Sequence, residues 1–473
     1  MSTSELHVID QAVQAAASVA DFWAESLSGV RSSLLRGLAS ALEQHQPTLV
    51  ALADEETGLG AARLNGEVAR TAFQLRGFAD AVDAGVPYRT IEDEALPGMP
   101  PVGRPRLSLV KEPLGPVAMF SASNFPFAFS VLGGDTASAL AAGCPVVVKS
   151  HSGHLRLSRA VHEVAQGVLA ELNLPRGLLE LVDGASRAAG LHLVSHPQIA
   201  AIAFTGSYQG GVALWKAAND RARPIPFYGE LGSTNPLIAL ASILEREGQT
   251  LAADLATSIT NGTGQFCTSP GVIVLFDHPA SDRFVEQLSA ALQPVKTHRM
   301  LTLGMREGFD AGVAHLLQSD AVTPLFEPHS DSEGPAPRLF QIDAQAFIDD
   351  AQLREEIFGP AAVILKVASV TQAIAVLHAI GGSLTATLWG FEQATDENRE
   401  LLRAARRIAG RVLFCGVPTG VAVTRAQQHG GPWPASTQPQ STSVGYAALE
   451  RFLRPVALQD APPWALNTEV KKP

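Results

Sequence analysis

From about residue 116 onward, short apolar runs alternate with Ala-rich stretches whose apolar residues recur at helical spacing. "PVAMF" (116–120), "PVVVK" (145–149), "LLELV" (178–182), "IAAIAF" (199–204) and "PIPFYGEL" (224–231) read as strands. Such near-continuous apolar runs suit strands buried on both faces. "FAFSVLGGDTASALAAG" (127–143) and "HLRLSRAVHEVAQGVLAEL" (154–172) read as helices between them. A second alternating block starts near residue 248 and runs through "QTLAADLATSITNG", "GVIVLF", "RFVEQLSAALQ", "AAVILKV", "VTQAIAVLHAI" and "LTATLWGF". Residues before about 100 are mostly helical in pattern, and the stretches 97–106 and 327–338 are Pro-rich connections. The alternation predicts an α/β protein built from parallel βαβ units.

Composition narrows the class. At 473 residues the chain has room for two or three domains. The hydrophobic fraction is 46% and the charged fraction 17%, as expected for a compact fold. A formal net charge of -11 offers no basic field for phosphates, which argues against nucleic acid as a partner. "MSTSELHVIDQAV" lacks the basic start and apolar core of a signal peptide, and no run approaches the roughly 18 apolar residues of a membrane span. The expectation is a cytoplasmic protein without a membrane partner.

Three cysteines, Cys144, Cys267 and Cys415, lie far apart without a metal-ligand spacing, so neither a disulfide framework nor a metal site is expected. Cys144 and Cys415 read as small core hydrophobes. Cys267 differs: "NGTGQFCTSPG" (261–271) surrounds it with glycines and small polar residues ahead of an apolar strand. Neither G-x-G-x-x-G nor G-x-x-x-x-G-K-[ST] occurs. "AFTGSYQGG" (203–211) offers a strand ending at Gly206-Ser207, with Gly210-Gly211 allowing a tight turn into a helix whose N-terminus could hold a phosphate. A plain strand–turn–helix explains that stretch equally well.

Taken together, these pieces resemble the aldehyde dehydrogenase superfamily over nearly the whole chain. The resemblance rests on "EPLGPVAMFSASNFPFAFS" (112–130), "AAGCPVVVKSH" (141–151), "AFTGS" (203–207), "GELGSTNP" (229–236), "GTGQFCTSPG" (262–271), "EEIFGPAAVI" (355–364), "GVPTGV" (416–421) and "HGGPWPASTQPQSTSVG" (429–445). It implies two Rossmann-like parallel-sheet domains with a small β oligomerisation arm. Residues 1–101 and 116–230 would form the dinucleotide-binding domain, 231–432 the catalytic domain, and 102–115 and 433–473 the arm. The strand-like "RPRLSLVKEPLG" (104–115) and the helix-then-strand "TSVGYAALERFLRPVALQ" (442–459) would then build a homodimer or a dimer of dimers.

The resemblance also implies the chemistry. Cys267 would be the nucleophile that adds to an aldehyde, forming a thiohemiacetal and then a thioester. Asn124 would donate to the oxyanion together with the Cys267 N–H. Otherwise, an Asn before Phe-Pro is a turn or cap residue. Glu230 would activate the hydrolytic water, where a plain reading makes it a surface carboxylate. His429 would lie near the thiol, as a proton carrier or as a structural histidine. Lys149, Ser207, Glu356 and Phe358 would contact the cofactor, with Gly206, Gly211 and Leu231 beside it. Ser152, three residues after Lys149, is small and neutral, and Arg187 follows the next strand. Both would leave room and charge for a 2′-phosphate, so the expected cofactor is NADP, with NAD tolerated.

The substrate signal is divided. Phe125, Phe127, Phe266 and Trp433 would line an apolar tunnel, while Arg425 is the one obvious cation for an acidic aldehyde. The wording of "FSASNFPFAFS", "YGELGSTNP" and "GQFCTSPG" is similar to the branch holding 2,5-dioxopentanoate (α-ketoglutaric semialdehyde) dehydrogenases and bacterial NADP-dependent fatty aldehyde dehydrogenases. The expected reaction is oxidation of 2,5-dioxopentanoate, with a fatty or aromatic aldehyde as the alternative. A CoA-acylating reductase would not need Glu230, and a silent structural protein would not keep Cys267, Asn124, Lys149 and Glu230 together.

Overall fold

Five parallel strands form one sheet, in the order Leu179–Val182, Val146–Lys149, Val117–Phe120, Ala201–Thr205, Phe227–Glu230. This computed structural model describes residues 3–183, 186–327 and 333–466. The strand order reverses between Val117–Phe120 and Ala201–Thr205, and the crevice beyond the carboxyl ends at such a point is where ligands bind in open α/β sheets. All four residues of Val117–Phe120 are buried, because helices cover both faces of the sheet.

A second sheet has seven strands, in the order Val322–Pro324, Arg338–Asp343, Ala361–Val367, Val272–Phe276, Leu237–Ala239, Ser383–Trp389, Ala409–Leu413. All pairings in it are parallel except that of Val322–Pro324. The chain leaves the first sheet at Glu230 and enters the second at Leu237. Later, residues 435–437 return and pair with the edge strand Phe227–Glu230: Leu231 N donates to Ala435 O (2.8 Å) and Thr437 N to Gly229 O (3.0 Å). A third, antiparallel sheet joins Ile91–Asp93, Leu107–Pro113 and Leu453–Gln459. Among the described residues no helix is long and apolar enough to cross a membrane.

Several expectations change in detail. The helix expected over 127–143 is confined to Gly134–Ala142. The cause lies upstream: Glu67 captures the N–H groups of Phe127 and Ala128, and Gly134 N donates back to Ala128 O, so 127–133 runs as tight turns. Gly210 and Gly211 lie inside the helix Tyr208–Asn219 rather than in a turn before it. Ile91–Asp93, placed with the dinucleotide-binding portion, pairs into the third sheet instead. Cys144 is buried as expected, but Cys415 is exposed. Part of the loop expected over 327–338 lies outside the described residues.

Candidate active site

Four segments converge between the two parallel sheets. Glu230 ends the strand Phe227–Glu230, and Asn124 follows the strand Val117–Phe120 by four residues. Cys267 lies between the helix Ala241–Thr260 and the strand Val272–Phe276, and His429 comes after the last strand of the second sheet. His429 Nε2 is 3.0 Å from Glu230 Oε1 and 3.5 Å from Cys267 Sγ. Ser443 donates to the other carboxylate oxygen of Glu230 at 2.6 Å. His429 and Glu230 are buried, while Cys267 is half-buried. The three ligand-capable atoms lie within 4.8 Å of one another, close enough to hold a soft metal ion as well.

The environment sets the charges. Burial raises the Cys267 thiol, and the adjacent Glu230 carboxylate adds to this by repulsion and hydrogen bonding, so the thiol is held well above its usual range. Burial also raises Glu230, but attraction to His429 and hydrogen bonds from His429, Ser443 and Cys267 outweigh it, leaving the carboxyl below its usual value. The resting arrangement is therefore a protonated thiol beside an ionised base.

The loop carrying Cys267 is built by backbone geometry. Gly262, Thr263 and Gly264 all have left-handed φ, +56°, +58° and +67°. A Cβ at Gly264 would come within 2.2 Å of the Gly359 carbonyl carbon, so only glycine lets the loop lie on that backbone. Thr263 accepts the conformation because its buried hydroxyl donates to His298 O at 3.0 Å. Asn124 Nδ2 donates to Gln265 O (2.9 Å), which brings the amide beside the loop. Asn235, fully buried, donates to both Cys267 O and Ser269 O at 2.9 Å and accepts from Thr385. This positioning residue was present in the quoted "GSTNP" but carried no distinguishing signal, because a buried Asn is recognised only by its partners.

The expected cofactor residues fall into two groups. Lys149 ends one strand of the first sheet and Ser152 follows it, and Arg187 follows the parallel neighbour, with residues 184–185 outside the described residues. Lys149 is half-buried, its ammonium lowered by burial and partly restored by Asp183. Asp183 is itself engaged by Arg159 (2.7 Å) and Ser150 (3.1 Å). Ser152 and Arg187 are exposed. Gly206 and Ser207 are exposed at the strand-order reversal, where Ser207 caps the helix Tyr208–Asn219 by accepting from Gly210 N. Half-buried Lys149, exposed small residues at this helix N-terminus and the crevice at the reversal together fit a dinucleotide. Glu356 and Phe358 line a cleft with Ser233 and Phe266, beside the Cys267 loop, and Glu356 Oε2 accepts from Ser233 N.

Leu231 and Gly211 pack against each other. A Cβ at Gly211 would meet Leu231 Cδ2 at 2.1 Å, so Gly211 allows the helix to pack closely over the buried Leu231 side chain. Of the tunnel aromatics, Phe125 and Phe266 stack edge to face at 5.2 Å, and Phe129 joins them at 5.4 Å from Phe125. Phe127 is buried in the core of the first unit, tethered by its N–H to Glu67. Trp433 is half-exposed and stacks with Trp215 and Tyr208 on the helix after Gly206-Ser207, so neither lines a tunnel with Phe125. Arg425 is exposed. The cations at the aromatic cluster are Arg63 and Arg70, from the helix Ala61–Asp83, which the sequence reading missed.

Comparison with known proteins places this arrangement. The model of the "Aldehyde dehydrogenase family" matches residues 1–312. The chain is 41% identical over 457 residues to alpha-ketoglutaric semialdehyde dehydrogenase 2 of Azospirillum brasilense, covering 96% of this chain and 87% of that one. It is 39% identical over 466 residues to alpha-ketoglutaric semialdehyde dehydrogenase of Acinetobacter baylyi, covering 97% and 88%. The fold matches the 1-pyrroline-5-carboxylate dehydrogenase of Thermus thermophilus with a TM-score of 0.80 at 22% identity, covering 95% of this chain and 85% of that one. Proline utilization A of Bradyrhizobium japonicum gives the same TM-score at 23% identity, and there the chain spans 97% of itself but 45% of its neighbour.

Proposed function

The chain belongs to the aldehyde dehydrogenase family, and on that basis we propose that it oxidises 2,5-dioxopentanoate to 2-oxoglutarate with NADP, NAD being tolerated. The observation that carries the chemistry is the contact of His429 with both Glu230, at 3.0 Å, and Cys267, at 3.5 Å, beside the amide of Asn124. The substrate rests on the two relatives named for that semialdehyde.

In this reading the Cys267 sulfur bonds to the aldehyde carbon, and His429 takes up the thiol proton and passes it to solvent, which leaves Glu230 ionised for the later hydrolysis. The oxygen, now an alkoxide, accepts from the Asn124 side chain and the Cys267 N–H. NADP, when bound, supplies the hydride acceptor. Lys149 and Ser207 would hold it through its ribose and pyrophosphate, Ser152 and Arg187 would admit its 2′-phosphate, and Glu356 and Phe358 would flank its nicotinamide end. Loss of hydride leaves a thioester on Cys267. Glu230, held by Ser443, then takes a proton from water, whose oxygen attacks the thioester and releases acid and thiol. Apart from Ile91–Asp93, which joins the third sheet, residues 1–101 and 116–230 carry the cofactor in this scheme, 231–432 carry the nucleophile, and the third sheet serves as the arm of a homodimer or a dimer of dimers. Within the stretch assigned to the arm, however, Ser443 serves the site itself.

A substrate panel tests the assignment. Purified enzyme with NADP should give its highest kcat/KM with 2,5-dioxopentanoate, above succinic semialdehyde, hexanal and decanal. A preference for decanal would replace the reading with the fatty aldehyde alternative.

A further inference from the structure

Arg63, Glu67 and Arg70 fall at i, i+4 and i+7 of the helix Ala61–Asp83 and so share one face. Arg63 Nη2 donates to Asn124 O at 2.6 Å, which places its guanidinium next to the site. That guanidinium lies 4.8 Å from the Phe266 ring centre and 5.2 Å from that of Phe125. Arg70 lies 5.9 Å from Phe125 and 5.7 Å from Phe129. Phe266 immediately precedes Cys267, and Phe125 immediately follows Asn124. The two cations therefore stand over the aromatic wall that continues directly into the reacting groups.

Both arginines hold donors without a protein partner. Arg63 Nη1, Arg70 Nε and Arg70 Nη2 are buried and unpaired among the described residues. Glu67 does not satisfy them: one of its oxygens accepts from Phe127 N and Ala128 N at 2.8 and 2.9 Å, and the other has no partner. Burial raises the Glu67 carboxyl, against the pull of those N–H groups and of the two arginines, which weakens it further as a counter-charge. A guanidinium keeps its proton at neutral pH, and buried unpaired donors are costly. Aromatic faces offset part of that cost but leave the in-plane N–H groups unsatisfied. A planar anion entering the cluster would supply what is missing.

We propose that Arg63 and Arg70 form an anion subsite that grips the carboxylate end of an oxo-acid substrate while its aldehyde end reaches Cys267. This rests on the acidic-semialdehyde reading above and gives it the cation that exposed Arg425 does not provide. In 2,5-dioxopentanoate four carbon–carbon bonds separate the aldehyde carbon from the carboxylate carbon, roughly 5 Å when extended. That length suits a charge held at Phe125 and Phe266 with the reacting carbon at the adjoining Cys267.

The test compares 2,5-dioxopentanoate with pentanal, which has as many carbons and no charge, in wild type, Arg63→Met, Arg70→Met and the two Lys variants. The ratio of kcat/KM for the oxo acid over pentanal should fall about ten- to a hundredfold in each Met variant, mainly through KM. The Lys variants, which keep charge but lose the fork, should fall less. A flat ratio, or equal losses on both substrates, would overturn the subsite. If wild type ignores 2,5-dioxopentanoate but oxidises glutaric semialdehyde with the same arginine dependence, the substrate assignment fails and the subsite stands. A second readout avoids turnover: glutarate should slow iodoacetamide alkylation of Cys267 in wild type and not in Arg63→Met. Protection that persists in the variant would count against the subsite.

Discussion

Glu230 has two effects on Cys267 that act in opposite directions. Its carboxylate raises the thiol pKa by repulsion and hydrogen bonding, on top of burial, yet it is also the base proposed for thioester hydrolysis. Replacing Glu230 by Gln removes the negative charge, so the thiol pKa should fall. Iodoacetamide alkylation of Cys267 should then show its pH midpoint displaced to lower pH than in wild type. Turnover should move the other way. Without the base for thioester hydrolysis, steady-state rate should drop roughly 10²–10⁴-fold, while a stopped-flow burst of NADPH from the first hydride transfer remains. An alkylation midpoint displaced upward would mean that the carboxylate's charge does not control the thiol, and loss of the burst would place Glu230 before hydride transfer.

At the scale of elements, the cofactor reading depends on what stands at the carboxyl ends of adjacent parallel strands. Lys149 and Val182 are direct partners in register, so the segments that follow them emerge side by side. Ser152 and Arg187 are both exposed there, and Asp183 between them is already engaged by Arg159 and Ser150. Ser152→Glu would set a carboxylate against a 2′-phosphate, at a cost of about 1–3 kcal/mol, or roughly ten- to a hundredfold in NADP affinity. NAD binding should hold or improve, since the new carboxylate can accept from both ribose hydroxyls. Arg187→Ala should weaken NADP and leave NAD nearly unchanged. The kcat/KM ratio for NADP over NAD reads both variants, and a ratio that stays constant in both would remove the basis for preferring NADP.

Across the whole molecule, the third sheet is fastened to the unit built on the five-stranded sheet by a buried ion pair. Arg451 Nη2 donates to Asp135 Oδ1 at 2.7 Å, and its Nε donates to Ala448 O, with the guanidinium 4.9 Å from the Phe452 ring centre. Asp135 lies in the first turn of the helix Gly134–Ala142, and Arg451 immediately precedes Phe452 and the strand Leu453–Gln459. Both side chains are almost fully enclosed, at 3% and 7% exposure, so breaking one leaves the other charged and buried. Arg451→Met should lower the unfolding free energy by about 3–5 kcal/mol, measurable by urea denaturation. A loss near the ~0–1 kcal/mol typical of exposed pairs would show that solvent reaches Asp135 once the arginine is gone.

The sequence by itself determined the α/β class, the alternating strands and the motifs holding Cys267, Glu230, Asn124 and Lys149, because these are local. Apolar runs, helical spacing and a glycine-lined cysteine are all read within a dozen neighbouring residues. His429 was legible through its motif, although its distances to Glu230 and Cys267 were not. What only the tertiary structure decided involves partners far apart in the chain. Phe127 left the tunnel because Glu67, 60 residues earlier, takes its N–H. Trp433 left it because Trp215 and Tyr208 offered their rings. Arg63 and Arg70 gave no signal in the sequence, since a charged residue at helical spacing carries no mark of burial. Whether a cation meets water or an aromatic wall depends on which helix face the sheet covers, and that choice is made by packing across the whole chain.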